Sequence, residues 1–393
     1  MNHRTGAGTV MALGLVLAGW MAVAAACPFC SATALTFTEE MTSMDVVAIA
    51  RLVEAPPPAS AGAAGDELPK ARFEVVKILK GEGLVKPKQS IDTLYFGDGT
   101  KGKAFLIMGI DPPQVMWSTP LPLSDRAQKY LAEIVKLPKD GVERYVFFQN
   151  HLEDEDEMLA RDAYDEFAKA SYDAVKSIKE HMNHAQLIEW IKNPDIPASR
   201  RRLYFVMLGI CGDEKDLPML EEMITSTDRK QRQGLDSMIG CYLTLKGEDG
   251  LPMIEETLLK NKKSDYADTY AAIMALRFHA TEGGVIEKQR VVASLRLMLD
   301  RPELADLVIP DLARWEDWTA IDKLFELYKN ADEKTSWVRV PVVNYLRVCP
   351  LPKAKELLKE CEKIDPQSVK RANTFFPTPA AAAAPAPAAA NAM

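Results

Sequence analysis

A repeat of about 35 residues in the second half constrains this chain more than any other feature. Leu208-Gly209-Ile210-Cys211-Gly212-Asp213 precedes Leu217-Pro218-Met219-Leu220-Glu221-Glu222-Met223-Ile224. The pattern returns as Leu243-Thr244-Leu245-Lys246-Gly247-Glu248-Asp249 before Leu251-Pro252-Met253-Ile254-Glu255-Glu256-Thr257-Leu258. Leu208 and Leu243 lie 35 apart, and Leu217 and Leu251 lie 34 apart. Weaker copies are anchored on Leu276, Leu312 and Leu346, at steps of 33, 36 and 34. Each unit reads as an apolar-periodic helix, a turn marked by Gly or Pro, and a second apolar-periodic helix. Pro218 and Pro252 open second helices, where a missing N–H costs little. One such hairpin cannot bury its own stripe, so neighbours must stack.

Over residues 200–363 this pattern resembles HEAT-like repeats. The resemblance implies an α-solenoid with a broad face for docking another macromolecule. The Trp-Leu-Gly-Tyr arrangement of the TPR repeat is absent.

The remainder of the 393 residues leaves room for one or two further domains. Residues 1–26 read as a signal peptide: Arg4, an apolar run from Val10 to Val23, and Ala24-Ala25-Ala26 before Cys27. No later stretch approaches the roughly 18 consecutive apolar residues of a membrane helix. The mature chain is therefore expected in the periplasm, in the cell envelope or secreted, with no membrane span. Cys27 is also a candidate lipid anchor, although Ala24 stands where a lipobox prefers Leu.

Cys27-Pro28-Phe29-Cys30 supports three readings. It matches the spelling of a redox dithiol, but that chemistry needs a helix N-terminus to lower the thiolate pKa. As a zinc site it is half a ligand set. As a disulfide it closes locally or ties the N-terminus to the module that follows, and this is the reading adopted. Haem attachment fails because Ser31 follows in place of His.

Residues 27–118 read as a small β module. Strands are expected at Val46–Val53, Phe73–Gly81, Ser90–Phe96 and Ala104–Gly109, with Ala55–Gly65 as a loop. Gly97, Gly99 and Gly102 predict a hairpin between the last two strands. Cys27, Asp45-Val46-Val47, Lys80-Gly81 and Gly102 before Phe105-Leu106-Ile107 resemble the netrin-like module of metalloproteinase inhibitors, an OB-type barrel. That resemblance implies an OB fold and protease inhibition through an N-terminal Cys27. The departures are Cys-x-x-Cys for the family's Cys-x-Cys, and no Cys between residues 31 and 210.

Asp111–Pro122 reads as a linker, and residues 119–199 as a helical region leading into the repeats, with Ser124 as an N-cap. The run Glu153–Glu157 lacks the spacing and Gly of a calcium loop, and crowds the positive end of the next helix. His181 and His184 lack a third metal ligand. Arg200-Arg201-Arg202 reads either as an anion site or, preferably, as a solvated helix start. Trp315, Trp318 and Trp337 are expected to pack between units. Residues 376–393, almost all Pro and Ala, are expected to form a disordered tail.

A net charge of −8 argues against a general nucleic-acid role. No nucleophile elbow, P-loop, dinucleotide fingerprint or zinc-protease helix is present, so catalytic residues, metal ligands and cofactors are all read as none. Glu221, Glu222, Glu255 and Glu256 recur at the repeat spacing and read as an acidic ridge for a basic protein partner. The expected fold is thus multidomain α+β, a small OB/netrin-like β module followed by a HEAT-like α-solenoid. The expected function is a non-enzymatic exported scaffold or protein-binding protein. The alternatives are thiol–disulfide exchange at Cys27 and Cys30, or protease inhibition.

Overall fold

The computed structural model describes residues 27–30, 34–56, 68–97 and 99–375. The expected signal, most of the Ala55–Gly65 loop and the Pro/Ala tail lie outside the described residues.

The first part is α1 (Phe37–Ser43) followed by β1 (Val46–Glu54), β2 (Lys70–Lys80), β3 (Ser90–Leu94), β4 (Ala104–Ile110), β5 (Met116–Trp117) and β6 (Leu121–Leu123). The strands form one antiparallel, barrel-like sheet in the order β3-β2-β1-β4-β5, with β6 also on β4. Three register shifts between β1 and β2 mark where the sheet curls.

Burial explains the strand sequences. β2 alternates exposed and buried residues, because only its inner face is covered. β1 and β4 are apolar almost throughout, because both faces are covered. Ala48, Ala50, Leu52, Phe105 and Ile107 join Phe73 and Tyr95 in the interior of the curl. Phe73, Tyr95 and Phe105 meet there edge to face, at centroid distances of 5.2–5.7 Å. From the opposite faces of the same strands, Val47, Ile49, Ala104 and Leu106 pack into the core shared with the helices.

Two expectations are corrected here. The hairpin between the last two strands does not form: β3 pairs with β2, and β4 pairs with β1. Gly102, at φ +83°, donates to Leu52 O, and Leu52 donates to Lys103 O, so the turn delivers β4 onto β1. The supposed linker contains β5 and β6 and folds back onto β4. Tyr95 is buried, whereas Phe96 is 71% exposed.

Then come α2 (Asp125–Ile134), α3 (Val142–Gln149), α4 (Glu157–Lys169), α5 (Tyr172–Ser177), α6 (His184–Lys192), α7 (Ala198–Cys211), α8 (Leu217–Thr225) and α9 (Leu235–Lys246). They are followed by α10 (Leu251–Ile254), α11 (Tyr266–Phe278), α12 (Lys288–Arg296), α13 (Ile309–Arg314), α14 (Ile321–Asn330), α15 (Arg339–Val348), α16 (Pro352–Ile364) and α17 (Pro366–Phe375). Ser124 caps α2 through Ala127 N, and Asp156 caps α4 through Met158 N. No helix among the described residues is long and apolar enough to cross a membrane.

From α6 onward the principal pairings follow chain order: α6 on α7, α7 on α9, α9 on α11, α13 on α15 and α15 on α17. The five leucine anchors fall on alternate helices, Leu208 on α7, Leu243 on α9, Leu276 on α11, Leu312 on α13 and Leu346 on α15, and all are buried. A Cβ at Gly209 would stand 3.4 Å from Cys241 Cα, which shows how closely α7 approaches α9.

Candidate functional site

Cys27 and Cys30 form a disulfide across a turn closed by Cys30 N–H to Cys27 O at 3.1 Å. The turn docks on the helices through Phe29. Phe29 enters a slot between α5, α7, α9 and α11, with its ring 5.1 Å from that of Phe278. Gly240 makes the room: a Cβ there would lie 2.8 Å from the Phe29 ring. His279, next to Phe278, places Nε2 3.1 Å from Gly240 O, and burial pushes its imidazole down to about 4.

This arrangement bears on the reading of the Cys pair. Its sulfurs are bonded to each other and Cys27 is buried, as the disulfide reading expects. Among the described residues the next helix is α1, which begins only at Phe37. Cys211, Cys241, Cys349 and Cys361 are free, and burial pushes the Cys241 thiol well up.

A second constellation joins the sheet module to the helices and was not anticipated. Asp162 on α4 accepts the Phe37 N–H at the start of α1 (2.7 Å) and the Tyr130 hydroxyl (2.7 Å). One turn on, Glu166 pairs with Arg144 at 2.5 Å, and Arg144 also donates to Thr38 Oγ1 at 3.0 Å. Lys169 pairs with Glu39 on α1. Asp162, Asp165, Glu166 and Arg144 are all buried. The signal for it lay in phase: Asp162 and Glu166 share the spacing of the apolar stripe Leu159, Ala163 and Phe167.

Burial above all, reinforced by Glu166 and Asp165, pushes the Asp162 carboxyl from 3.8 up to about 7 against the bonds from Phe37 and Tyr130. Between those values the folded chain keeps a proton that the unfolded chain releases. The stabilisation is full below the unfolded value and is lost as pH rises toward about 7. His279 has the opposite slope: its contribution is lost as pH falls from 6.5 toward about 4. The comparison must therefore be between wild type and Asp162→Asn. Urea denaturation is expected to show the variant gaining about 2 kcal/mol on the wild type between pH 5 and pH 8. An offset that does not change with pH refutes this assignment.

The glutamate pairs do not line up as a free ridge. Glu255 is buried and held by Arg290 (2.6 Å) and Ser294 (2.7 Å), which with a neighbouring lysine hold its carboxyl low despite burial. Glu221 accepts from Tyr242 and Lys246, and Glu256 pairs with Lys260. Glu222 is exposed on α8.

The arginine run is not a solvated helix start. Arg200 and Arg201 are buried, Arg200 pairing with Glu153 and Glu157, and Arg202 pairs with Asp236. Glu153 of the acidic run thus reaches α7, while Asp154 pairs with Arg126. His184 pairs with Asp216 at 2.9 Å, and no group of three or more ligands for a metal occurs among the described residues. Trp315 and Trp318 pack against the core, whereas Trp337 is 48% exposed.

Tyr266 and Tyr270 lie stacked on α11, 5.9 Å apart and nearly parallel, and both are exposed. Comparison with known protein families, with curated proteins and with solved structures finds no match.

Proposed function

We propose that this chain is an exported, non-enzymatic binding protein in which a HEAT-like solenoid over residues 200–363 offers an extended face to a protein partner. One observation carries the reading: ion pairs tie the first four units in succession at nearly the repeat length. Arg202 meets Asp236, Arg232 meets Asp268, Glu255 meets Arg290 and Arg277 meets Asp311, steps of 34 to 36 residues. Contacts that reach only the neighbouring unit are what a stacked repeat requires.

The stacked Tyr266 and Tyr270 supply the kind of anchor that protein interfaces favour. The Cys27–Cys30 disulfide fits an oxidising, extracytoplasmic compartment. β1 between β2 and β4 fits the OB-type resemblance. The netrin-like disulfides have no counterpart in the module, which we read as a structural cap and not as an inhibitor.

The test is a photocrosslinking amino acid placed at Tyr266, at Tyr270 and at Trp337 of the chain expressed in its exporting cell. A discrete protein adduct is expected from the α11 positions, reduced at least fivefold when the other tyrosine is Ala. No adduct from any of the three positions would remove the proposal.

A further inference from the structure

Arg201 is a buried cation without a counter-charge. Four arginines are buried among the described residues: Arg144, Arg200, Arg201 and Arg301. Arg144, Arg200 and Arg301 each have a carboxylate within ion-pair distance, and Arg201 has none among the described residues. Its Nη1 donates to Lys230 O at 2.8 Å and its Nη2 to Gln231 O at 3.3 Å, while Nε has no partner. A guanidinium has five N–H donors, so three remain unspent. A buried, uncompensated charge is strongly unfavourable unless something completes it.

The space for that completion adjoins it. A cavity of about 330 Å³ opens between the end of α6, the start of α7, α8 and the turn at 226–234, and Arg201 forms part of its wall. Pro194, Met219 and Met223 give it an apolar side, and methionine adapts to varied shapes. Lys192 and Lys230 stand exposed at its rim. Glu222 and Asp228 stand there too, so a doubly charged phosphate would meet two carboxylates. An anion of single charge meets less repulsion, and a planar carboxylate matches the guanidinium fork.

We infer that this cavity binds a small monocarboxylate carrying a short apolar stem, with Arg201 holding the carboxylate and Met219 and Met223 lining the stem. The same chemistry belongs to a free short-chain acid and to the C-terminal residue of a peptide. The site needs only this one cavity and does not rest on the solenoid face being a docking surface.

The test is calorimetric titration of the purified full chain, in a buffer free of carboxylates, with hexanoate, with hexanol, and with a tetrapeptide ending in Leu as free acid or as amide. Hexanoate is expected to bind at least tenfold tighter than hexanol. Met219→Trp puts a larger side chain into the cavity and keeps the guanidinium, and is expected to weaken hexanoate at least tenfold with an unchanged thermal melt. Arg201→Gln is expected to remove the preference for hexanoate over hexanol. If that variant fails to fold, Met219→Trp alone carries the test.

A free-acid peptide that binds tighter than both its amide and hexanoate supports the site and identifies a chain terminus as the ligand. Hexanoate binding without peptide binding supports it and identifies a free acid. Equal affinity for hexanoate and hexanol, no binding of any probe, or full binding by Met219→Trp overturns the inference. None of these readouts uses a protein partner, so failure here leaves the crosslinking result intact, and the reverse.

Discussion

Arg144→Met is expected to destabilise the fold by about 3–5 kcal/mol in urea denaturation, because it removes one partner of a buried ion pair and leaves the other. Arg144 and Glu166 are each more than nine-tenths buried and meet at 2.5 Å. Removing the guanidinium strands Glu166 beside Asp162 and Asp165, three acids on a single stretch of α4 with little water. It also removes the bond to Thr38 and the cation resting 4.9 Å above the Phe148 ring. Those contacts hold α1, and through it the sheet module, against the helices. Replacing both partners, as Arg144→Met with Glu166→Leu, is expected to recover most of the loss, since an apolar pair of similar volume avoids the desolvation cost. A single variant within 1 kcal/mol of wild type would show that water or another cation compensates Glu166, and the junction would lose the role given to it.

Phe29→Ala is expected to cost about 3–5 kcal/mol, the range for emptying a buried aromatic site. The ring fills a slot lined by Tyr172, Phe205, Gly240 and Phe278. The sharper form of the test uses Gly240. In the wild type, Gly240→Ala drives a Cβ to 2.8 Å from the Phe29 ring, so the ring must leave and stability falls. In the Phe29→Ala background the space is open. There the same substitution is expected to stabilise by about 1 kcal/mol, the ordinary gain of Ala over Gly inside a helix. Chemical denaturation of the four proteins gives the coupling directly. Additive effects would mean that Phe29 does not occupy the slot in solution.

The sequence made some of this legible through periodicity. The leucine anchors report the alternate helices because each buried helix needs a large aliphatic residue where it meets its neighbour. Strand positions were readable from runs such as Val46–Leu52, and Ser124 announced its helix through cap chemistry. What stayed hidden depends on partners far along the chain. Nothing local distinguishes Arg201 from Arg202, yet one is buried against carbonyls of the 226–234 turn and the other pairs with Asp236 on α9. The acidic ridge failed as a free surface for a similar reason. Repeat spacing places Glu221 and Glu255 alike, but Arg290 draws Glu255 inward. The false hairpin followed from counting glycines, when the choice of strand partner was made by the two covered faces of β1.

That double coverage ties the two halves of the chain together. Alternate residues of β1 serve different interiors: Val47 and Ile49 lie toward the helices, and Ala48, Ala50 and Leu52 toward the curl of the sheet. A one-residue insertion would hand each set to the other's neighbours, trading alanines for bulky side chains on both sides at once. The parity of a nine-residue strand is therefore a shared inheritance of both halves, and drift in either is checked by the other.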